Sequence, residues 1–388
     1  MTDRLSAQIE FLKTADRLKT VERASTLLDQ SRPENSAEHS WHLALYALIL
    51  CPVNAQGASV DRAIRMLLLH DLVEIVVGDH PIHEETDWAA VAKAERAAAV
   101  ELFNILPNDQ ADTFLALWLE FEADETVDAR YAKRLDRCQP MFQALYATPQ
   151  QADHIDVVRD NIAGGRAAYL QDTFPEAFAL ASSLLGNPST IDVTALTDRL
   201  AFLNEADQLK RIERASRLND NSRFENSAEH SWHIMLHAMV LEDQAGSGVT
   251  LDRVLKMLLI HDIVEIDAGD APIHGVVDHA VMAVKEQKAA ERLFGLLPDR
   301  EGQSLIALWQ EFEAAETSDA LFAKAIDRVQ VPISNLVNGG GSWVTYQVSL
   351  AQLDQRVGIP VSRGAPGVWA WLRPQLESFF REHPALTG

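Results

Sequence analysis

"ENSAEHSWH" reads at residues 34–42 and recurs without change at residues 225–233. Nine identical residues, with two histidines and two glutamates in each copy, are too many for chance. The copies stand 191 residues apart, and the same offset joins His70 to His261 and Asp136 to Asp327. It holds without insertion from Phe11/Phe202 to Asp136/Asp327. "LLLHDLVEIVVGDHPIH" (67–83) thus stands over "LLIHDIVEIDAGDAPIH" (258–274), and "LALWLEFEADET" over "IALWQEFEAAET". A period this long marks a duplicated domain rather than a solenoid of short repeats. The seam falls in "LGNPSTIDVT" (185–194), where Gly, Pro and Ser interrupt the pattern. The expected domains are therefore residues 1–189 and 190–388. After Asp136 and Asp327 the copies diverge, and only the second carries "NLVNGGGSW" (335–343).

Each half reads as helical almost throughout. Ile64, Leu67, Leu68 and Val73 recur at helical spacing, as do Val91, Ala94, Ala98 and Leu102. Turn chemistry breaks these runs at "DQSRPENS", "GDHPIH" and "LPND". The expectation is an all-α fold of two tandem domains, each with roughly six to eight helices at ordinary helix and loop lengths.

The 388 residues exceed the usual single-domain size, and a 47% apolar share supports a core in each half. A formal charge of −23 argues against a nucleic-acid polymer as partner, because such binding needs a basic stripe. A small anionic substrate stays compatible, since a bound cation and local arginines can outweigh the global field. Two cysteines are too few for a disulfide framework and point to a reducing compartment. The N-terminus has no signal-peptide core, and the longest apolar run, 43–53, is too short to span a bilayer. A soluble cytoplasmic protein without a membrane partner is expected.

His70 and Asp71 adjoin on an apolar helix, with Glu74 one turn further along the same face. Burying an imidazole and two carboxylates there is costly without a partner, and a divalent metal resolves the cost. Alone, such a pair reads as a core histidine satisfied by hydrogen bonds. It is not alone: His39 lies on a second helix and Asp136 on a third, so the four could converge in a bundle core. His230, His261, Asp262 and Asp327 repeat the set in the same frame.

The order His…His-Asp…Asp resembles the HD superfamily of metal-dependent phosphohydrolases. "ENSAEHSWH", "HD-[LI]-VEI…GD" and "[LI]DR" resemble its bacterial 5′-deoxynucleotidase-like branch, and "NGGGSW" fits larger members of that branch. The resemblance implies two tandem HD-type domains, each holding about one divalent ion (Mn, Co, Ni, Zn, Fe or Mg). The ligands would be His39, His70, Asp71 and Asp136 in one half and His230, His261, Asp262 and Asp327 in the other. It makes Glu74 and Glu265 the groups that polarise or deprotonate the attacking water. Asp79 and Asp270, in the "GD" turn, would assist proton transfer to the leaving oxygen. The implied reaction is hydrolysis of a small phosphomonoester, most plausibly a nucleoside 5′-monophosphate. Arg32 and Arg223, two residues before each "ENS", are candidate phosphate clamps, or else surface arginines paired with a neighbouring glutamate.

Two features depart from the branch. Where it holds an arginine–tryptophan pair that shapes the nucleoside pocket, this chain has Ala24-Ser25 and Ala215-Ser216. "PIH" also adds His83 and His274, candidate extra ligands. The rival readings are accordingly an HD-type iron-dependent oxygenase and a metal-stapled ligand-binding or regulatory protein. Homodimers of the simpler relatives suggest that the fused halves form an intramolecular pseudo-dimer, with further self-association left open.

Overall fold

Asn35 opens the helix on which each half is organised. Its side-chain oxygen accepts from the backbone amides of Ala37 and Glu38, both at 3.1 Å, while Glu38 accepts from the Asn35 amide at 2.9 Å. This reciprocal capping box starts helix α2 at Ser36 and places His39 in its first turn. The computed structural model describes residues 2–81, 86–275 and 278–384.

In the first half, α1 (Thr2–Ala15) runs through a 3-10 turn (Asp16–Thr20) into a short antiparallel ribbon of β1 (Glu22–Thr26) and β2 (Pro33–Asn35). There follow α2 (Ser36–Asn54), α3 (Val60–Leu69), α4 (Glu74–Val77), α5 (Trp88–Phe103), α6 (Asn108–Ala123) and α7 (Val127–Tyr146). Helices α8 (Ala152–Gly164), α9 (Leu170–Thr173) and α10 (Pro175–Leu184) close it. The second half repeats the plan: α11 (Thr194–Ala206), a 3-10 turn (Asp207–Arg211), β3 (Glu213–Arg217), β4 (Phe224–Asn226), α12 (Ser227–Val240), α13 (Leu251–Ile260), α14 (Glu265–Ala268), α15 (His279–Phe294), α16 (Asp299–Ala314) and α17 (Ser318–Val337). Its tail differs: α18 (Gly341–Thr345), α19 (Leu350–Leu353), α20 (Ile359–Gly364) and α21 (Pro366–Glu382).

The fold is all-α, as the periodicity predicts. One-turn helices such as α4 and α9 take the helix count beyond six to eight per half, and the two ribbons are additional. Strands of five and three residues, paired with an irregular register, are too short to leave an alternating pattern. Among the described residues no helix is long and apolar enough to cross a membrane.

Helix α3 buries Ala63, Ile64, Leu67 and Leu68, then yields to a turn at His70 that re-enters helix at Glu74. Gly78 and Gly269 end the one-turn helices with φ of 78° and 79°, a conformation glycine adopts without penalty. That reversal returns Asp79 and Asp270 toward the helices they follow.

The identical segments meet across the molecule. Asn35 Nδ2 donates to Glu229 Oε1 at 2.6 Å, and Asn226 Nδ2 donates to Glu38 Oε1 at 2.7 Å. Trp41 donates to the Leu259 carbonyl at 3.1 Å and Trp232 to that of Leu68 at 3.2 Å. Two buried lysines cross as well. Lys210 reaches Glu34 at 2.7 Å, His42 Nδ1 at 3.0 Å and its own Asp207; Lys19 reaches Glu225 at 2.8 Å, His233 Nδ1 at 2.9 Å and its own Asp16. Asp16, Glu225 and His233, like Glu34, His42 and Asp207, are grouped as metal ligands would be. An ammonium fills each group instead. His42 Nε2–H donates to the Leu203 carbonyl, leaving Nδ1 to accept from Lys210; burial, then the Lys210 charge, pull this histidine down to about 3. The repeated nonapeptide therefore faces its own copy, and a change in one copy unpairs a buried group in the other.

Candidate metal centres

Three helices converge in each half. His39 comes from the first turn of α2, His70 and Asp71 follow α3, and Asp136 sits midway along α7. His39 Nε2 lies 3.4 Å from Asp136 Oδ1, and His70 Nε2 lies 3.9 Å from the same oxygen. These three ligand atoms stand within 4.8 Å of one another, as do those of His230, His261 and Asp327. In the second half His230 Nε2 is 3.1 Å from Asp327 Oδ1. Asp71 and Asp262 stand at the cluster edge. Asp71 turns Oδ1 to His70 Nε2 at 3.1 Å and gives Oδ2 to Arg23 at 2.6 Å; Asp262 does the same with His261 at 3.0 Å and Arg214 at 2.8 Å.

The donor set fits a cation. His70 Nδ1–H donates to the Leu67 carbonyl at 2.9 Å, and His261 Nδ1–H to that of Leu258 at 2.8 Å. Each bond leaves the Nε2 lone pair aimed at the carboxylates, and both Nε2 atoms are buried without a hydrogen-bond partner. A backbone-oriented imidazole with a free nitrogen is how proteins present histidine to a metal. Phe121 and Phe312 hold the rings edge-on at centroid separations of 5.2 and 5.1 Å.

The local charge favours the same conclusion. Burial works against the Asp136 carboxylate, but Arg137 and the His39 hydrogen bond hold it well below its usual range. Asp71, opposed by burial but favoured by His70 and Arg23, falls to about 2. Burial and the Arg23 charge push His39 down, yet its bonds to Asp136 and Glu34 outweigh them and hold it at about 9. Ionised carboxylates around an imidazole that holds its proton make a site short of positive charge.

Glu74 and Glu265 lie beside these clusters. Ser36 donates to Glu74 Oε2, and Ser227 donates to Glu265 Oε2 at 2.6 Å. Burial, then the adjacent aspartate, raise both glutamates well above the usual range, a shift that a bound cation would oppose. Asp79 and Asp270 line the same two pockets as Glu74 and Glu265.

Of the two roles expected for Arg32 and Arg223, the structure shows the pairing with a neighbouring glutamate and not the phosphate clamp. Arg32 grips both oxygens of Glu38 and the Lys210 carbonyl of the opposite half; Arg223 does the same with Glu229 and the Lys19 carbonyl. Neither lines either of these two pockets, because the ribbon turns them toward the contact between halves. Arg23 and Arg214 stand in the site instead. Arg23 Nη1 lies 2.6, 3.5 and 3.9 Å from Asp71, Glu74 and Asp79, and Arg214 Nη1 lies 2.8, 3.9 and 3.8 Å from Asp262, Glu265 and Asp270. They immediately precede Ala24-Ser25 and Ala215-Ser216, and no tryptophan follows them. The identical "ERAS" at 22–25 and 213–216 was their signal in the sequence.

His83 lies outside the described residues. His274 lines the second pocket but stays out of the cluster. Burial, then Arg356 and Arg328, draw it down to about 4, and its Nδ1 has no partner. Trp118 donates to the His70 carbonyl at 3.0 Å and so helps fix the ligand turn.

Comparison with known proteins bears on these centres. The family profile described as "HD domain" matches residues 15–178 and 206–369. The 5′-deoxynucleotidase HDDC2 of Xenopus laevis is 30% identical over 138 residues, covering 35% of this chain and 67% of the relative. The protein of that name from Homo sapiens is 28% identical over 137 residues, covering 35% and 66%. The chain thus spans about two thirds of the length of these curated relatives. A solved structure described as a predicted metal-dependent phosphohydrolase, from Magnetospirillum magnetotacticum MS-1, is 43% identical. It covers 50% of this chain and 99% of its own, with a TM-score of 0.47.

Proposed function

The chain belongs to the HD-domain family, and from that premise we propose that each half hydrolyses a small phosphomonoester, with a nucleoside 5′-monophosphate as the leading substrate class of the chain as a whole. The observation that carries this reading is the pair of buried Nε2 atoms of His70 and His261, each turned among carboxylates by an Nδ1–H bond to a backbone carbonyl. His39, His70, Asp71 and Asp136 would hold one divalent ion, and His230, His261, Asp262 and Asp327 another. When bound, such an ion supplies Lewis acidity toward a phosphoryl oxygen and toward water.

The chain's own groups do the rest. Glu74 and Glu265, one turn past the ligand pairs, accept the proton of the attacking water. Asp79 and Asp270 return a proton to the leaving oxygen. Arg23 and Arg214 hold these carboxylates in register and offer the phosphoryl group a guanidinium from the pocket wall. The free cysteines Cys51 and Cys138 support a reducing compartment such as the cytoplasm.

Metal content tests the ligand assignment directly. Elemental analysis should give about two ions per chain, and Asp71→Ala and Asp262→Ala should each remove about one. A double variant that keeps full occupancy would rule the assignment out. Phosphate release from nucleoside monophosphates, tested across divalent ions, should disappear with the metal.

The reciprocal bonds of Asn35 with Glu229 and Asn226 with Glu38 support a second element of the proposal, that residues 1–189 and 190–388 act as a fused pseudo-dimer. Small-angle scattering should give the compact envelope of one body. Two lobes on an extended seam would refute it.

A further inference from the structure

Beyond their shared ligands the two pockets differ in size and in wall. The first encloses about 390 Å³ and the second about 190 Å³. Cavities that enclose drug-sized ligands run to roughly 300–1,000 Å³, and only the first falls in that range. The cause lies in the unmatched tails. In the second half the glycine run takes φ of 77°, 108° and 42° at Gly339, Gly340 and Gly341, a path closed to ordinary residues. A Cβ on Gly341 would lie 2.3 Å from Asn335 Oδ1. That turn delivers Trp343 to the pocket wall, where Phe379 and Phe380 brace its ring at 5.3 and 5.4 Å. Tyr346, Leu353 and Val357 narrow the same wall.

The first half has no such filling. Helix α8 and the turn after it leave the space open and set Arg166 at its edge, the guanidinium 3.8 Å above the ring of Trp88. Arg166 is half-buried and forms no ion pair among the described residues, whereas most of the chain's other described arginines do. A planar cation stacked on an aromatic face in the wall of an amphipathic pocket is suited to the organic part of a phosphate ester.

We propose that the two centres of one chain divide substrates by size. The first half takes a nucleoside-sized phosphomonoester whose organic part meets Trp88 and Arg166, and the second takes only compact phosphate esters. This rests on the reading of both centres as phosphate-ester sites. The walls decide specificity, while the shared ligands leave the chemistry the same.

Calorimetric titration of the intact, metal-loaded chain separates the two claims. Inorganic phosphate should bind at two sites per chain, and the phosphonate analogue of a nucleoside 5′-monophosphate, whose P–C bond is not hydrolysed, at one. Arg166→Gln should weaken the nucleotide about tenfold or more, as expected for a lost charge-assisted contact, and leave phosphate at the second site unaffected. Two equivalent nucleotide sites, or unchanged nucleotide affinity in Arg166→Gln, would overturn the division of substrates. If the nucleotide binds once and responds to Arg166→Gln but no phosphate ester is hydrolysed, the division stands and the hydrolase reading falls.

Discussion

Replacing Glu74 and Glu265 together by glutamine is expected to slow phosphate release by ~10²–10⁴-fold, the usual cost of a lost general base. The amide oxygen can still accept from Ser36 and Ser227, whose hydroxyls hold the native carboxylates, so the local shape survives. What disappears is an oxygen able to take a proton from water. The ligands are untouched, and elemental analysis should therefore find about the same metal content as in the parent chain. Steady-state phosphate release and metal content, measured on one preparation, separate a base from a ligand. Unchanged turnover would transfer the proton role to Asp79 and Asp270.

The other large effect is expected at a residue outside both pockets. Lys210→Met leaves Glu34 and Asp207 as buried carboxylates without their shared cation. Removing one member of a buried ion pair costs about 3–5 kcal/mol, because the remaining charge has no compensation. Denaturant unfolding should show a loss of that order, and a loss below about 1 kcal/mol would contradict the arrangement. The damage should also cross between halves. Glu34 Oε2 stands 3.5 Å from Nδ1 of His39, so a lysine of the second half steadies a ligand of the first. In an Asp262→Ala background, which leaves the first centre alone, Lys210→Met should weaken cobalt binding followed by its visible absorption.

The candidate ligand sets were legible because the chain states them twice: His39, His70, Asp71 and Asp136 return at one offset with their apolar surroundings. The residues that support them were less legible, for a physical reason. Arg32 is close to "ENS" in sequence, but β2 and the capping box direct its guanidinium to Glu38 and the other half. Arg23 is farther from that motif and reaches the carboxylates because β1 pairs back against β2. Lys19 and Lys210 contact glutamates 206 and 176 positions away, and no local periodicity encodes such a pairing. The unequal pockets arise from the tails, where the two halves no longer match. The ribbons were missed because a five-residue strand with a register shift looks like a loop.

The crossed lysines also govern how this fused pair can evolve. A duplicated enzyme ordinarily leaves one copy free to decay once the other suffices. Here Lys19 belongs to one half and neutralises a glutamate of the other, and Lys210 returns the service. A half that lost its own turnover would still have to supply its neighbour with a cation in the right place. Selection on either activity therefore preserves the scaffold of both. The two halves cease to match altogether only in the tails, and those tails wall the two pockets.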